Sequence, residues 1–412
     1  MKKYDAIVIG GGPAGLFAAI NLSGGSRSVL ILEKNQKPGK KLLLTGGGQC
    51  NLTHTGDVSE LLKHYGDGAK FLKTALFSFS NTDLMHFFNK RKLKLITEED
   101  GKVFPASKKA EDVLNVLLRE CDKNGVEIEC GTPVKHVEKS DDGFYIFTDI
   151  KKYLGKNLII ATGGMSYPKT GSTGDGYAFA KYFGHTINQV RPALTPLYVK
   201  DFVLKDLAGI SFEDLCLSLW RDGKKVREFS GDVLITHRGI SGPGVLNNSK
   251  YVDAGDVIKI NFMNTNPERF RADFVETVAK NGGLTVKSIL RKYPIPRRLA
   301  DKILQLAGIP DEMTCANLKK EYRKRLVEML TEFPIEVEKP GDFNVAMITK
   351  GGISLREVKP TSMESRLVKG LYFAGEILDI DGDTGGYNLQ AAFSTGYLAA
   401  RSILQNTHEI ML

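Results

Sequence analysis

"YDAIVIGGGPAGLFAAINLS", residues 4–23, decides the fold. Tyr4 to Ile9 form a short apolar run rich in β-formers, three glycines follow, and "LFAAINLS" carries apolar residues that suit a helix packed on a sheet. The order is strand, tight turn, helix. "SVLILE" (Ser28 to Glu33) supplies the next strand and completes a βαβ unit of about 30 residues. Gly10, Gly12 and Gly15 stand within it as G-x-G-x-x-G. The first glycine allows the turn, the second lets the backbone approach a pyrophosphate, and the third permits close packing of helix on sheet. The helix start adds free N–H groups and the positive end of its dipole. Glu33, closing the second strand, is placed to accept hydrogen bonds from ribose hydroxyls. The stretch therefore predicts dinucleotide binding.

The far end of the chain selects the dinucleotide. "GLYFAGEILDIDGDTGGYNLQAAFSTG", residues 370–396, presents a strand ending at Gly375 and Glu376, a turn with Gly385 and Gly386, and a helix beginning near Asn388. A returning segment of this kind sets a helix N-terminus against the pyrimidine end of an isoalloxazine, where N–H groups stabilise negative charge on the reduced ring. FAD is the expected cofactor.

The middle has a different texture. "AEDVLNVLLRECDKNG" reads as a helix, and "VEIECG", "PVKHVEKS", "GFYIFTD" and "NLIIATGG" as strands. From Pro192 onward "LYVKDF", "LCLSLW", "KVREFSGDVLIT" and "DVIKINFM" are short alternating strands, with Asp222-Gly223 as a hairpin signal. Pro267 to about Thr331 is helical, and strands return after Pro334. The expected architecture is α/β: a discontinuous, doubly wound FAD-binding domain (residues 1–191 and 334–412), an inserted antiparallel β-barrel-like domain (192–266) and a small helical cap (267–333).

Composition excludes several classes. With 42% hydrophobic and 25% charged residues the chain is ordinary globular sequence, not a disordered one. The run after Lys2 and Lys3 is too short for a signal peptide, and no stretch has the length of apolar sequence that a membrane helix needs. A cytoplasmic protein with no membrane partner is expected. Five scattered cysteines without a C-x-x-C pair exclude a disulfide framework, dithiol redox chemistry and structural zinc, so no metal is expected. The net charge of +9 is concentrated between Lys287 and Arg325, where eleven Lys/Arg face four Asp/Glu. Beyond Tyr293 and Tyr322 that segment lacks interleaved aromatics, so it reads as a solvated helical face rather than a nucleic-acid site.

"KLLLTGGGQCNLTH", residues 41–54, needs its own reading. It lacks the Lys-Ser/Thr ending of a P-loop, and Cys50 has no partner thiol. Gly46, Gly47 and Gly48 instead remove side chains so that backbone can pass a flat ring, Gln49 and Asn51 offer amides to ring or substrate, and Cys50 fills space beneath it.

Taken with "GKVFPASKKAEDVL", "ATGGMSYPKTGSTGDGY" and "LITHRGISGPGVL", these motifs resemble, end to end, the BaiN-like, aminoacetone oxidase family of FAD-binding proteins. The chain departs from it at Gln49, where many members have Arg. The resemblance implies that Gly10, Gly12, Pro13, Ala14 and Gly15 hold the pyrophosphate and that Glu33 and Lys34 hold the ribose. It implies further that Val134 meets adenine, that Ala161, Thr162 and Gly163 pass close to the cofactor, that Gly375 and Glu376 lie by the ribityl chain and pyrophosphate, and that Asn388, Leu389 and Gln390 lie by the ring. Flavin N5 carries the hydride, so the protein has only to orient a small-molecule substrate and move one proton. His237, Tyr167, Thr170 and Tyr387 are the candidates for that task. Two directions stay open: reduction of a conjugated C=C or oxo compound with NADH or NADPH as transient reductant, or oxidation of a small amine with O2. An RNA-associated flavoenzyme and a non-catalytic flavin module are the alternatives. The oligomeric state is not encoded in any motif.

Overall fold

The computed structural model describes residues 2–23 and 27–409. The chain divides into two compact units, Met1–Ala193 with Phe343–Leu412, and Leu194–Asp342.

The first unit is built on a seven-stranded sheet. Its centre is the strand Lys3–Ile9, parallel to Val29–Leu32 on one side and to Lys152–Ile160 on the other. Glu127–Glu129 extends the sheet beyond Val29–Leu32, and Leu371–Phe373 pairs in parallel with the C-terminal part of Lys152–Ile160. The N-terminal part of that long strand pairs instead with the antiparallel ribbon Gly143–Thr148 and Val134–Ser140. Parallel strands covered on both faces have no solvent side, which is why "VLIL" and "LYF" are apolar without alternation and buried throughout.

The helix Pro13–Leu22 is buried on nearly all sides. Its Phe17 ring meets Phe79, Phe87 and Phe393 at centroid distances of 4.8, 4.9 and 5.2 Å. Phe393 belongs to the final helix, Tyr387–Glu409, which approaches so closely that a Cβ on Gly396 would lie 2.4 Å from the Ala14 carbonyl oxygen. Residues 53–105 add elements that the motifs did not announce: helices Val58–Leu62, Ala69–Ser78 and Asn81–Lys90, and a three-stranded antiparallel sheet of Thr53–His54, Lys102–Pro105 and Leu95–Thr97. Ser80 and Asp83 form a reciprocal capping box at the third of these helices. The chain leaves this unit after Ile187–Ala193 and returns on Ile348–Ile353, its antiparallel partner.

In the second unit six strands close a barrel in the order Leu197–Val199, Gly239–Ser241, Lys224–Ile235, Ser211–Arg221, Val257–Asn261, Phe333–Pro340. Here the structure differs from the expected boundaries. Phe333–Pro340 alternates buried and exposed residues and pairs with both Val257–Asn261 and Leu197–Val199, so the barrel cannot close without it. The inserted unit thus ends at Asp342 rather than at residue 333. Nor are the helices a separate body. Phe274, Ile303 and Leu330, from helices Pro267–Lys280, Arg297–Ala307 and Lys320–Thr331, share one core with the barrel residues Leu217, Leu219 and Ile258. Among the described residues no helix is long and apolar enough to cross a membrane.

Gly396→Val forces the first and final helices apart against backbone. We expect a loss of about 1–3 kcal/mol, read as a lower urea midpoint at unchanged slope; an unchanged midpoint would show that the helices separate freely.

Candidate active site

A deep cleft in the first unit holds about 1400 Å³ of empty space, part of it open solvent at the mouth. It lies at the C-terminal ends of the parallel strands, where open α/β sheets bind ligands. Gly10, at φ +110°, turns the chain there, and a Cβ on it would lie 2.5 Å from the Ala161 carbonyl oxygen. Gly12, Pro13 and Ala14 line the cleft. Gly15 does not line it and serves packing: its Cβ would fall 2.0 Å from the Gly10 carbonyl oxygen. A Cβ on Gly12, by contrast, meets no protein atom within 4 Å and would take up space in the cleft itself.

Two helices begin at this wall. The first helix makes its earliest main-chain bond from Leu16 N to Gly12 O (2.9 Å), so the N–H groups of Ala14 and Gly15 precede its ladder. In the final helix Gln390 N donates to Gly386 O (3.0 Å), so the N–H groups of Asn388 and Leu389, both cleft residues, precede that ladder. Neither start is blocked by a side chain in front of the cleft: Gly12 has none, and the Asn388 amide turns back to Gly382 N and O at 2.9 Å.

The carboxylates are tied to protein partners. Glu33 accepts from Gly11 N (2.8 Å), Asn35 N (2.8 Å) and Asn35 Nδ2 (2.7 Å), which uses three of about four acceptor positions and leaves capacity for a ribose hydroxyl. Lys34, on the same wall, donates to Asp175 and Thr173, both at 2.5 Å. Burial acts to raise the Asp175 pKa, but its bonds to Lys34 and Thr173 outweigh this and hold it below the usual carboxylate range. Farther along, Lys41 donates to Glu376 Oε2 (2.6 Å) and to Ser166 Oγ (2.5 Å), while Glu376 Oε1 accepts from Ser166 Oγ (3.0 Å) and Thr349 N (2.8 Å).

Val134, Ala161, Thr162, Gly163, Gly375, Glu376, Asn388 and Leu389 all border the cleft. Thr162 Oγ1 is turned away from the cleft and buried against Gly176, without a hydrogen-bond partner. Along the strand order Val29–Leu32, Lys3–Ile9, Lys152–Ile160, Leu371–Phe373 the lining runs from Glu33 through the first-helix start to Glu376 with its partner Lys41, an elongated shape that matches a dinucleotide. The bare Gly12 and the two open helix starts are the observations that FAD fits. No group of residues able to hold a metal ion occurs among the described residues.

The "TGGGQCN" loop is placed differently from its neighbours. Thr45 borders the cleft, but Gly46, Gly47 and Gly48 run beyond its lining in left-handed conformation, at φ +56°, +64° and +90°. Gln49 is exposed. Cys50 is buried, and that burial pushes its pKa up to about 12 despite a hydrogen bond from Thr45, so it stays a neutral thiol. The Asn51 amide, oriented to satisfy its neighbours, donates to Thr53 O (3.0 Å) and accepts from Gly386 N (3.2 Å). Gln390 is fully buried between Thr53 Oγ1 (2.7 Å) and Phe79 O (3.2 Å) and is not part of the lining. Both amides therefore join protein to protein.

The four proton-transfer candidates are divided between the two units. Thr170 borders the cleft and donates to Tyr167 O (2.7 Å); Tyr167, at φ +52°, lies just outside the lining. Tyr387 is buried outside it too, stacked between His64 (4.1 Å) and His54 (5.2 Å), and burial raises its pKa to about 12. His237 belongs to the second unit, exposed in the turn after Lys224–Ile235. Sequence reasoning missed Lys41, Asp175 and Ser166, whose only signal was a lysine pair ahead of an apolar run and polar residues in glycine-rich turns.

Comparison with known proteins adds the following. Residues 4–402 match the model of the HI0933-like protein Rossmann domain. The chain is similar to a ribosomal RNA dihydrouridine synthase of Escherichia coli, 31% identical over 98% of this chain and 99% of that one. It is also similar to a 3-dehydro-bile acid delta(4,6)-reductase of Clostridium scindens, 33% identical over 96% and 98%. Among solved structures, the quinol fumarate reductase FrdA of E. coli aligns at TM-score 0.53, 14% identity and 99% of this chain against 71% of that one, a likeness of fold.

Gly12→Val should leave the protein folded and lower FAD affinity at least tenfold, whereas Cys50→Ser should retain FAD. Flavin absorbance of the purified variants decides, and loss of flavin in the serine variant would return a role to the thiol.

Proposed function

The chain belongs to the HI0933-like Rossmann-domain family and is an FAD-dependent oxidoreductase, and from that premise we propose that it reduces a carbon–carbon double bond conjugated to a carbonyl, with uracil in ribosomal RNA as the substrate. The names of the two kinds of curated relative share that chemistry. Dihydrouridine is uridine with hydrogen added across the bond next to its C4 carbonyl, and a delta(4,6)-reductase of a 3-dehydro bile acid acts on double bonds in conjugation with a ketone. Bound FAD supplies hydride once reduced, and NADH or NADPH is the reductant we assign to it. Gly12 and the Ala14 N–H group would hold the pyrophosphate, and Glu33 the ribose. The N–H groups of Asn388 and Leu389 would stabilise negative charge on the ring, with the Lys41–Glu376 pair fixing that wall.

The observation that favours RNA over a small molecule is the segregated charge of the second unit. Arg291, Lys292, Arg297, Lys319, Lys320 and Arg325 are exposed and stand in no ion pair among the described residues. A bile acid presents one anionic group, whereas RNA presents one per nucleotide, and only the latter matches a surface of this kind. The sequence alone weighed this segment towards a solvated face; nearly full-length similarity to rRNA-modifying relatives supports the other choice. A cytoplasmic location follows from such a substrate.

An unmodified ribosomal RNA transcript, incubated anaerobically with the holoenzyme and NADH or NADPH, should gain dihydrouridine detectable by mass spectrometry of its nucleosides. The reading fails if the RNA is unchanged while the same preparation reduces a 3-oxo-4-ene steroid. That outcome would establish the second reading, which the Clostridium scindens relative favours.

A further inference from the structure

We infer that the outward face of the helix Lys320–Thr331, with Lys319 before it, is an RNA-backbone docking surface that supplies substrate affinity and takes no part in the chemistry. This rests on the RNA reading above and assigns it to particular side chains.

The helix buries Leu326, Val327 and Leu330 and turns Lys319, Lys320, Lys324 and Arg325 to solvent. Its charge is arranged against its own stability. Lys319 and Arg323, and Lys320 and Lys324, are like charges four residues apart, a spacing that brings side chains together on one helix face. All of them occupy the first half of the helix, where the dipole disfavours cations; Glu321 is the lone acid of the first turn. Compensation is slight. Glu328 reaches Lys324 at 3.7 Å, and Lys319, Lys320, Arg323 and Arg325 have no ion pair among the described residues.

A second helix of the same unit shows what the fold does without such a demand. Pro267–Lys280 balances Arg269, Arg271 and Lys280 against Glu268, Asp273 and Glu276. It keeps Glu268 in its first turn and Lys280 in its last, and pairs Lys280 with Glu276 at 2.5 Å. The sign order of Lys320–Thr331 is thus not imposed by the unit as a whole, although Arg297–Ala307 likewise opens on Arg297 and Arg298 with no acid in its first turn. Unpaired cations backed by the positive end of a helix dipole form a site for phosphate oxygens, and their spacing along the helix suits a row of backbone phosphates rather than one small anion.

The test is the variant Lys319→Gln, Lys320→Gln, Lys324→Gln, Arg325→Gln in the full-length holoenzyme, compared with the unaltered protein for binding to an unmodified ribosomal RNA transcript across a salt series. Relief of like-charge repulsion keeps the variant folded, with FAD content and the rate of flavin reduction by nicotinamide unchanged. Its RNA affinity should fall on the order of 100-fold at about 0.1 M salt, with a salt slope lower by about 3, since each of the four lost phosphate contacts removes about 0.7 on a single strand. Equal affinity and slope in the two proteins, with dihydrouridine still formed, overturn the docking face and leave the RNA reading standing. If the unaltered protein neither binds nor reduces the transcript, both fall. Loss of binding to anionic lipid vesicles in the variant, with RNA binding intact, assigns the face to membranes and overturns the inference.

Discussion

The close approach of the first helix to its neighbours governs the rest of the first unit. Three glycines permit it: Gly15 against the Gly10 carbonyl, Gly396 against the Ala14 carbonyl, and Gly375, whose Cβ would lie 2.9 Å from Ala14 Cβ. Each removes a single methyl group at a point where backbone meets backbone or nearly so. Together they bring the start of the first helix, the end of strand Leu371–Phe373 and the final helix to one place. Without that convergence the cleft would have no floor, because Gly12, Ala14, Gly375 and Leu389 come from both ends of the chain and border the same space. A discontinuous domain is the topological result: the sheet cannot finish until the last segment returns.

Charge follows from the same geometry. Two helix starts facing one cleft set positive potential where a diphosphate and a reduced ring would each carry negative charge. The carboxylates nearby do not cancel it. Glu33 is held by Gly11 and Asn35, Asp175 by Lys34, and Glu376 by Lys41, Ser166 and Thr349, so each negative side chain comes with its own donors. A polar wall satisfied in advance costs little reorganisation when a ligand enters, which is the sense in which such a site is preorganised.

The parts of this design that were legible in the sequence are those that depend on local spacing. G-x-G-x-x-G between "YDAIVI" and "LFAAINLS" marked the cradle, and alternation in "LCLSLW" and "KVREFSGDVLIT" marked the barrel. What stayed hidden depends on contacts across the chain. Lys41 and Glu376 are 335 residues apart, and nothing near either one identifies the other. Asn51 read as a free amide in a glycine-rich loop and Gln390 was placed by the ring through the family resemblance, yet the fold spends both joining residues 51–53 to the start of the final helix and to Phe79 O. The end of the insertion was misplaced for a related reason: a strand that closes a barrel has the same alternation whether it belongs to the barrel or to the next sheet, and only its partners decide.

The two relatives, 31% and 33% identical, carry names as different as an rRNA dihydrouridine synthase and a bile-acid reductase, and the proposed reading of the cleft offers a physical reason for that difference. On the proposed reading its lining would serve a cofactor from end to end, with glycines and helix starts at the phosphates, Glu33 at a ribose, and Lys41 and Leu389 at a ring. Such residues are indifferent to what receives the hydride, because every acceptor of this class presents the same short array of double bond and carbonyl. Discrimination between a sterol-sized molecule and a polynucleotide must then come from surfaces that meet the rest of the substrate. Those surfaces tolerate change, since exposed charges such as Lys320 or Arg325 cost the fold little, whereas Gly15 or Gly396 cannot be altered without moving a helix. Under the proposed function, this distribution of constraint would let the substrate diverge while the flavin cradle stays constant.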